Sequence, residues 1–283
     1  QGTSFIEVTN ACNLNCAMCN TKLADRRTGF MSEDIFEVIL RKLKAEGSKT
    51  IGLSPTGELF LHPDIGTLLR LVDKYQFKAL LSTNGQFPHL IPQLCQSISN
   101  TSIVLRFSID GATQKTYESI RQGASFKTLI ESLEQAHKLN EGKINSRIQL
   151  FIRVALCMKN IYEIPEFFNV FGKYCLPENF YFAIIEGLSP DLTFFWKELP
   201  FKHLIRRNVP CSVPFSNMHF TYDGKATLCC RDYWGQLVVG DIREKSIAQL
   251  WDGDRANEIR NLHCRGVKTG LPCDNCYFPF NGL

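Results

Sequence analysis

The stretch SFIEVTNACNLNCAMC, residues 4–19, decides how the rest of the chain is read. Ser4–Val8 reads as a short extended run. Cys12, Cys16 and Cys19 follow at once in a Cys-x3-Cys-x2-Cys spacing. Three thiolates on one tight loop complete a structural zinc site only if a fourth ligand is borrowed from elsewhere. On a [4Fe–4S] cluster the same three thiolates leave one iron open to a small chelating molecule. A loop at the C-terminal edge of a strand is also where parallel sheets place their ligands.

Working outward, strands and helices alternate. Ser32 is an N-cap for a helix whose apolar positions Ile35, Phe36, Ile39, Leu40 and Leu43 recur at helical spacing. Thr50–Ser54 reads as a strand, and Ile65, Leu68, Leu69 and Val72 line the next helix. Strands are expected at Lys78–Thr83, Ile103–Ile109, Arg147–Leu156 and Phe180–Ile185, with helices over Ile91–Ser99, Ser125–Asn140 and Ile164–Tyr174 between them. This rhythm implies crossover connections and a parallel sheet, either a partial barrel or a strongly curved open sheet. After Gly187 the period is lost. From Cys211 onward a hairpin is expected, His219–Thr221 against Ala226–Leu228, turned by Asp223-Gly224.

Composition narrows the function classes. The 283 residues suffice for one large or two modest domains. Hydrophobic residues at 44% and charged residues at 21% are an ordinary balance for a globular protein. A net charge of +4, evenly spread, points to neither nucleic acid nor an acidic membrane as a partner. The apolar runs are too short to span a bilayer, and nothing at the N-terminus reads as a secretory signal. The twelve cysteines gather mainly near the two ends, a pattern that favours metal or cluster binding in a reducing cytoplasm over a disulfide framework.

The segment CNLNCAMC resembles the radical S-adenosylmethionine (radical SAM) superfamily, and further motifs fall in that family's order. Thr56-Gly57-Glu58 stands where the family has Gly-Gly-Glu, which receives the SAM ammonium group. Ser82-Thr83-Asn84-Gly85 and Ser108-Ile109-Asp110-Gly111 end the next strands, near where the family holds the ribose and carboxylate of SAM. Ser82, Asn84, Ser108 and Asp110 are therefore candidate cofactor contacts. Arg121 is a candidate partner of the SAM carboxylate, because a guanidinium binds one bidentately. The resemblance implies a partial (β/α)6 TIM-like barrel over residues 1–187. Its [4Fe–4S] cluster, held by Cys12, Cys16 and Cys19, binds SAM and cleaves it reductively with electrons from an external donor such as flavodoxin or ferredoxin.

A second set of cysteines lies in the last part of the chain. Cys211, Cys229, Cys273 and Cys276 are four ligands for a tetrahedral-thiolate site, which zinc or an iron–sulfur cluster would fill equally well on these residues alone. With Asp223-Gly224 and Trp251, the spacing resembles the SPASM and twitch extensions of radical SAM enzymes, and residues 211–283 are assigned to such a domain. Seven residues follow Cys276 without another cysteine, which fits the shorter twitch form with one auxiliary [4Fe–4S] cluster. Residues 188–210, with Phe194, Phe195, Trp196, Arg206 and Arg207, are read as a linker that covers a cavity or adds to the core.

Cys230 directly follows a predicted ligand, so its side chain is expected to point away from Cys229 and towards the cavity. There it is a candidate hydrogen-atom donor. Cys95, Cys157 and Cys175 are read as core residues. Three reactions follow from the resemblance: dehydrogenation of a sugar or aminocyclitol alcohol, epimerisation of a sugar or peptide residue with Cys230 as donor, and ribosomal-peptide maturation. Many peptide-maturing relatives carry an N-terminal leader-binding domain. Because the first strand here begins at once, a small-molecule substrate is the expectation.

Overall fold

The computed structural model describes residues 3–140, 147–184 and 211–266, together with Leu271, Cys273 and Cys276. Six strands run in chain order: β1 (Ser4–Ile6), β2 (Thr50–Leu53), β3 (Lys78–Thr83), β4 (Ile103–Ser108), β5 (Ile148–Leu156) and β6 (Phe180–Ile184). Each pairs in parallel with the next, and β1 and β6 lie at the two ends of this set. The crossovers carry α1 (Glu33–Ala45), α2 (Ile65–Lys74), α3 (Ile91–Ser97), α4 (Gln114–Ile120), α5 (Phe126–Asn140) and α6 (Ile164–Phe171). Ser32 caps α1 by accepting from the Ile35 N–H at 3.4 Å. This is the expected α/β half-barrel, with elements the periodicity did not reveal. One is α4, a short helix that buries only Tyr117 and Ile120.

Alternation along the strands separates core from site. On β5 every second residue from Ile148 to Leu156 is buried, and those between are more exposed. The buried set packs against the helices, where Phe36, Ile39, Leu40, Leu68, Val72, Leu129, Leu133 and Phe167 form one continuous core with Ile51, Leu81, Phe107 and Ile152. The other phase lines the lumen with Leu80, Ser82, Val104, Arg106, Phe151 and Arg153. Helices thus cover only the convex side, and the concave side is left for chemistry.

Another unforeseen element is β9 (Val238–Asp241), where Gly240 and a register shift against the neighbouring strand break the period of two. It joins β7 (His219–Phe220) and β8 (Lys225–Thr227), the two strands of the expected hairpin. β7 adds in parallel to the free edge of β1, and β8 and β9 continue antiparallel, so the C-terminal unit extends the same sheet. Three helices complete that unit: α7 (Val213–Ser216), α8 (Ile247–Trp251) and α9 (Asp254–Cys264). The expected linker over 188–210, with its aromatic and basic residues, and the side chain of Cys95 lie outside the described residues. Cys157 is fully buried, whereas Cys175 is only half-buried.

Gly57 sits where the ends of β1 and β2 approach most closely. Its φ is +66°, and an added Cβ would lie 2.5 Å from the Thr9 carbonyl oxygen and 2.6 Å from that of Ala11. Gly57→Ala is expected to cost about 2–4 kcal/mol, combining left-handed strain with a backbone clash. Gly47 has φ +76° and open space around it. Gly47→Ala should cost only about 1 kcal/mol. Equal urea midpoints for the two variants would refute the clash.

Candidate active site

The first loop leaves β1 and is held at both of its shoulders. Asn15 N–H donates to the Gln122 carbonyl at 2.9 Å and Ala17 N–H to that of Ile120 at 2.8 Å, so the C-terminal end of α4 braces the cysteines. Glu58 N–H donates to the Ala11 carbonyl at 2.8 Å, and Asn84 Nδ2 donates to Asn13 Oδ1 at 2.9 Å. Cys12, Cys16 and Cys19 are free thiols; Cys16 is buried and Cys12 exposed. Burial pushes the Cys16 thiol up to about 11, and the Arg121 guanidinium opposes the shift. As thiolate ligands, the three cysteines would be stabilised by the irons of a cluster. Among the described residues no three His, Cys, Asp or Glu side chains converge on one metal position. Ligands that each take a separate iron have no need to do so.

The remaining motif residues stand at the ends of β2, β3 and β4. The Glu58 carboxylate is 1% exposed and accepts from Asn84 N–H at 2.7 Å, Thr83 Oγ1 at 2.9 Å and Phe60 N–H at 3.3 Å. Burial raises its pKa to about 7 against these hydrogen bonds. Thr56, in place of the family's glycine, turns its hydroxyl to the Glu7 carboxylate, which also takes a bidentate pair from Arg26 at 2.7 and 3.1 Å. Ser82, Asn84, Ser108, Gly57 and Glu58 line one cavity of about 560 Å3. Asp110 lies behind the cavity wall. It accepts from Ala155 N–H at 2.8 Å and forms a 2.7 Å ion pair with Arg121. Burial opposes the Arg121 charge, but Asp110 and Cys16 raise its pKa overall. Arg121 Nε is buried without a hydrogen-bond partner among the described residues, and the residue lines this cavity, where its guanidinium suits an anionic cofactor group.

The same cavity reaches the C-terminal unit. Cys230, Arg231 and Tyr233 line it together with Cys12, Cys16 and Cys19. Cys229 turns the other way, with Cys273, onto a small core of Leu228, Leu237, Ala256, Ile259 and Leu271. Cys276 is close enough to Cys229 to raise its thiol pKa further, after burial and Cys230. Cys211 stands just before α7, which is tied to α9 by Arg260 Nε donating to the Pro214 carbonyl at 3.0 Å. Cys264 is exposed at the end of α9. A smaller cavity of about 360 Å3 lies on the other side of the loop, against Glu7, Arg26, Thr56 and Tyr233.

Sequence reasoning missed the buried Glu7–Arg26 pair and the arginines Arg106 and Arg153. The last two had a signal, since each interrupts an otherwise apolar strand in the phase that faces the lumen. Removing the cation at Arg121 leaves the Asp110 carboxylate buried and uncompensated. Arg121→Met should therefore destabilise by about 3–5 kcal/mol in chemical denaturation, while Arg121→Lys recovers part of the loss. A cost below about 1 kcal/mol for Arg121→Met would refute the pairing.

Residues 6–151 match the radical SAM superfamily, and residues 211–277 match SPASM, an iron–sulfur cluster-binding domain. The antilisterial bacteriocin subtilosin biosynthesis protein AlbA of Bacillus subtilis is 27% identical over 163 residues, 56% of this chain and 34% of AlbA. The tungsten-containing aldehyde ferredoxin oxidoreductase cofactor-modifying protein of Pyrococcus furiosus is 23% identical over 303 residues, 90% of this chain and 82% of that protein. The match covers 34–41% of the length of the first curated relatives. Among solved structures, BtrN in complex with AdoMet and 2-DOIA is similar with a TM-score of 0.61 at 17% identity, over 98% of this chain and 93% of BtrN. No helix among the described residues is long and apolar enough to cross a membrane. The loop that follows β1 lies within the matched segment, which covers more than half of the chain, and this chain belongs to the radical SAM superfamily.

Proposed function

We propose that this protein oxidises an alcohol carbon of a sugar or aminocyclitol, with the iron–sulfur site of its C-terminal domain as electron acceptor. The observation that carries this reading is the shared cavity. It is bounded by the three-cysteine loop on one side and, on the other, by Cys230, whose neighbour Cys229 packs with Cys273. When bound, SAM and its cluster would supply the radical chemistry that removes one hydrogen atom from the substrate.

In this reading the chain's own residues divide the work. Cys12, Cys16 and Cys19 hold the cluster, and Gly57, Glu58, Asn84 and Ser108 shape the seat of SAM. Arg121 offers its free Nε to the SAM carboxylate. The substrate hydroxyl proton needs a base within the cavity. Two carboxylates are found among the described lining residues, Glu58 and Glu178. Glu58 is occupied by its three donors, so we assign the proton to Glu178. Cys211, Cys229, Cys273 and Cys276 would hold the auxiliary cluster, which would take up the remaining electron of the substrate radical so that a ketone is left. The low-potential electron that starts each turnover comes from an external flavodoxin- or ferredoxin-type donor.

With one auxiliary cluster, the anaerobically reconstituted protein should hold about eight irons per chain and Cys229→Ala about four. That variant should still cleave SAM but form no oxidised product. Undiminished product would sink the electron-acceptor role.

The Cys230 thiol on the cavity wall favours a second reading, epimerisation, in which Cys230 returns a hydrogen atom to the opposite face of the substrate radical. In deuterated water the wild type would then place deuterium at the reacting carbon, and Cys230→Ala would not. Deuterium gained equally by both proteins rejects the donor role.

A further inference from the structure

The half-barrel lumen holds two charges that the chemistry above does not use. Strand register sets Arg106 beside Ser82 and Phe151, and Arg153 beside Ser108 and Tyr181. All six side chains line the 560 Å3 cavity. Ser82 Oγ fixes the Arg106 guanidinium by accepting from Nε at 3.2 Å and Nη2 at 2.7 Å. Among the described residues, neither Arg106 nor Arg153 forms an ion pair with a carboxylate. Asp110 is taken by Arg121 and Glu58 by its own donors, and Glu178, on the same cavity, pairs with neither arginine.

Burial, reinforced by the like charge of Arg153, draws the Arg106 pKa down to about 10, so the Arg106 guanidinium remains cationic at neutral pH. Two adjacent cations in a partly enclosed cavity repel one another and gain when an anion enters between them. Their planar forks match the oxygens of a phosphate or a carboxylate. The carboxylate of SAM has its own cation in Arg121, beside Cys16. The groups that act on Arg106 are Arg153, Cys230 and Tyr181, none of them on the three-cysteine loop.

We infer that the substrate carries an oxyanion, a phosphate or a carboxylate, which Arg106 and Arg153 hold inside the lumen while the reacting carbon faces the three-cysteine loop. This rests on the proposed oxidation and narrows it. The substrate is an anionic sugar and not an aminocyclitol, whose ammonium groups the two guanidiniums repel.

The test uses anaerobic, SAM-loaded holoenzyme titrated with inorganic phosphate and, separately, with acetate. Binding is followed by 31P and 13C line broadening, and the preferred probe separates a phosphate-bearing from a carboxylate-bearing substrate. One probe should bind saturably with a dissociation constant of about 1–10 mM, the range for so small a ligand. Arg153→Gln and Arg106→Gln should each weaken that binding at least about tenfold, and Arg153→Lys, which keeps the charge but loses the fork, should retain only part of it. Iron content and melting temperature establish that each variant is folded; if Arg106→Gln fails this check, the Arg153 pair decides.

No saturation by either probe up to about 50 mM would overturn the inference, as would equal binding by the wild type and Arg153→Gln. So would a parallel fall in SAM affinity in Arg153→Gln, because the pair would then serve the cofactor. Reductive SAM cleavage by the same preparations reads the proposed oxidation separately. A protein that binds the oxyanion through these arginines but never cleaves SAM would refute the oxidation and leave the oxyanion site in place.

Discussion

Glu58 ties three strand ends together at one buried group. Its N–H holds the loop after β1, through the Ala11 carbonyl, and its carboxylate holds Thr83 and Asn84 at the end of β3. Asn84 in turn reaches back to Asn13 in the cysteine loop. A carboxylate this enclosed is costly unless its lone pairs are filled, and here each oxygen has a donor. The cysteine loop has little secondary structure of its own beyond a single 3-10 turn, Thr21–Leu23. Its shape is inherited from these bonds, from the bracing end of α4 and from the close approach at Gly57.

A second buried pair, Asp110 with Arg121, extends this support to β4 and places a cation beside Cys16. The two devices differ in what they leave over. Glu58 is saturated by its own chain, whereas Arg121 keeps one donor without a partner. The site is therefore rigid on its carboxylate side and receptive on its guanidinium side. Deeper in the lumen, Arg106 and Arg153 continue the positive character away from the three-cysteine loop.

Joining β7 to the free edge of β1 serves function as well as stability. An unpaired edge beside the cysteine loop would expose backbone donors and acceptors. Covering it with the C-terminal unit brings Cys230 to the same cavity as Cys12, Cys16 and Cys19 and turns Cys229 towards the second cysteine set. The two cysteines part at the turn that follows β8, where the Asp232 N–H donates to the Cys229 carbonyl at 3.1 Å.

Much of this was legible in the residues alone. The six strands, their helices and the Ser32 cap follow from apolar period, because a face packed against helices has to be apolar at every second strand position. The cysteine spacing carried its chemistry for the same local reason, since a short loop presents its thiols together. Other features gave weaker signals or none. α4 has too few apolar residues to show a period, and β9 is interrupted by Gly240. That Glu7 faces Arg26 and Tyr222, that Arg121 faces Asp110, and that Arg106 and Arg153 share a lumen are relations between distant parts of the chain. Local spacing sets which side chains share a strand face or a loop. Strand register and the mating of β7 with β1 set which of those faces meet, since burial and charge pairing act across space and leave no period in the sequence.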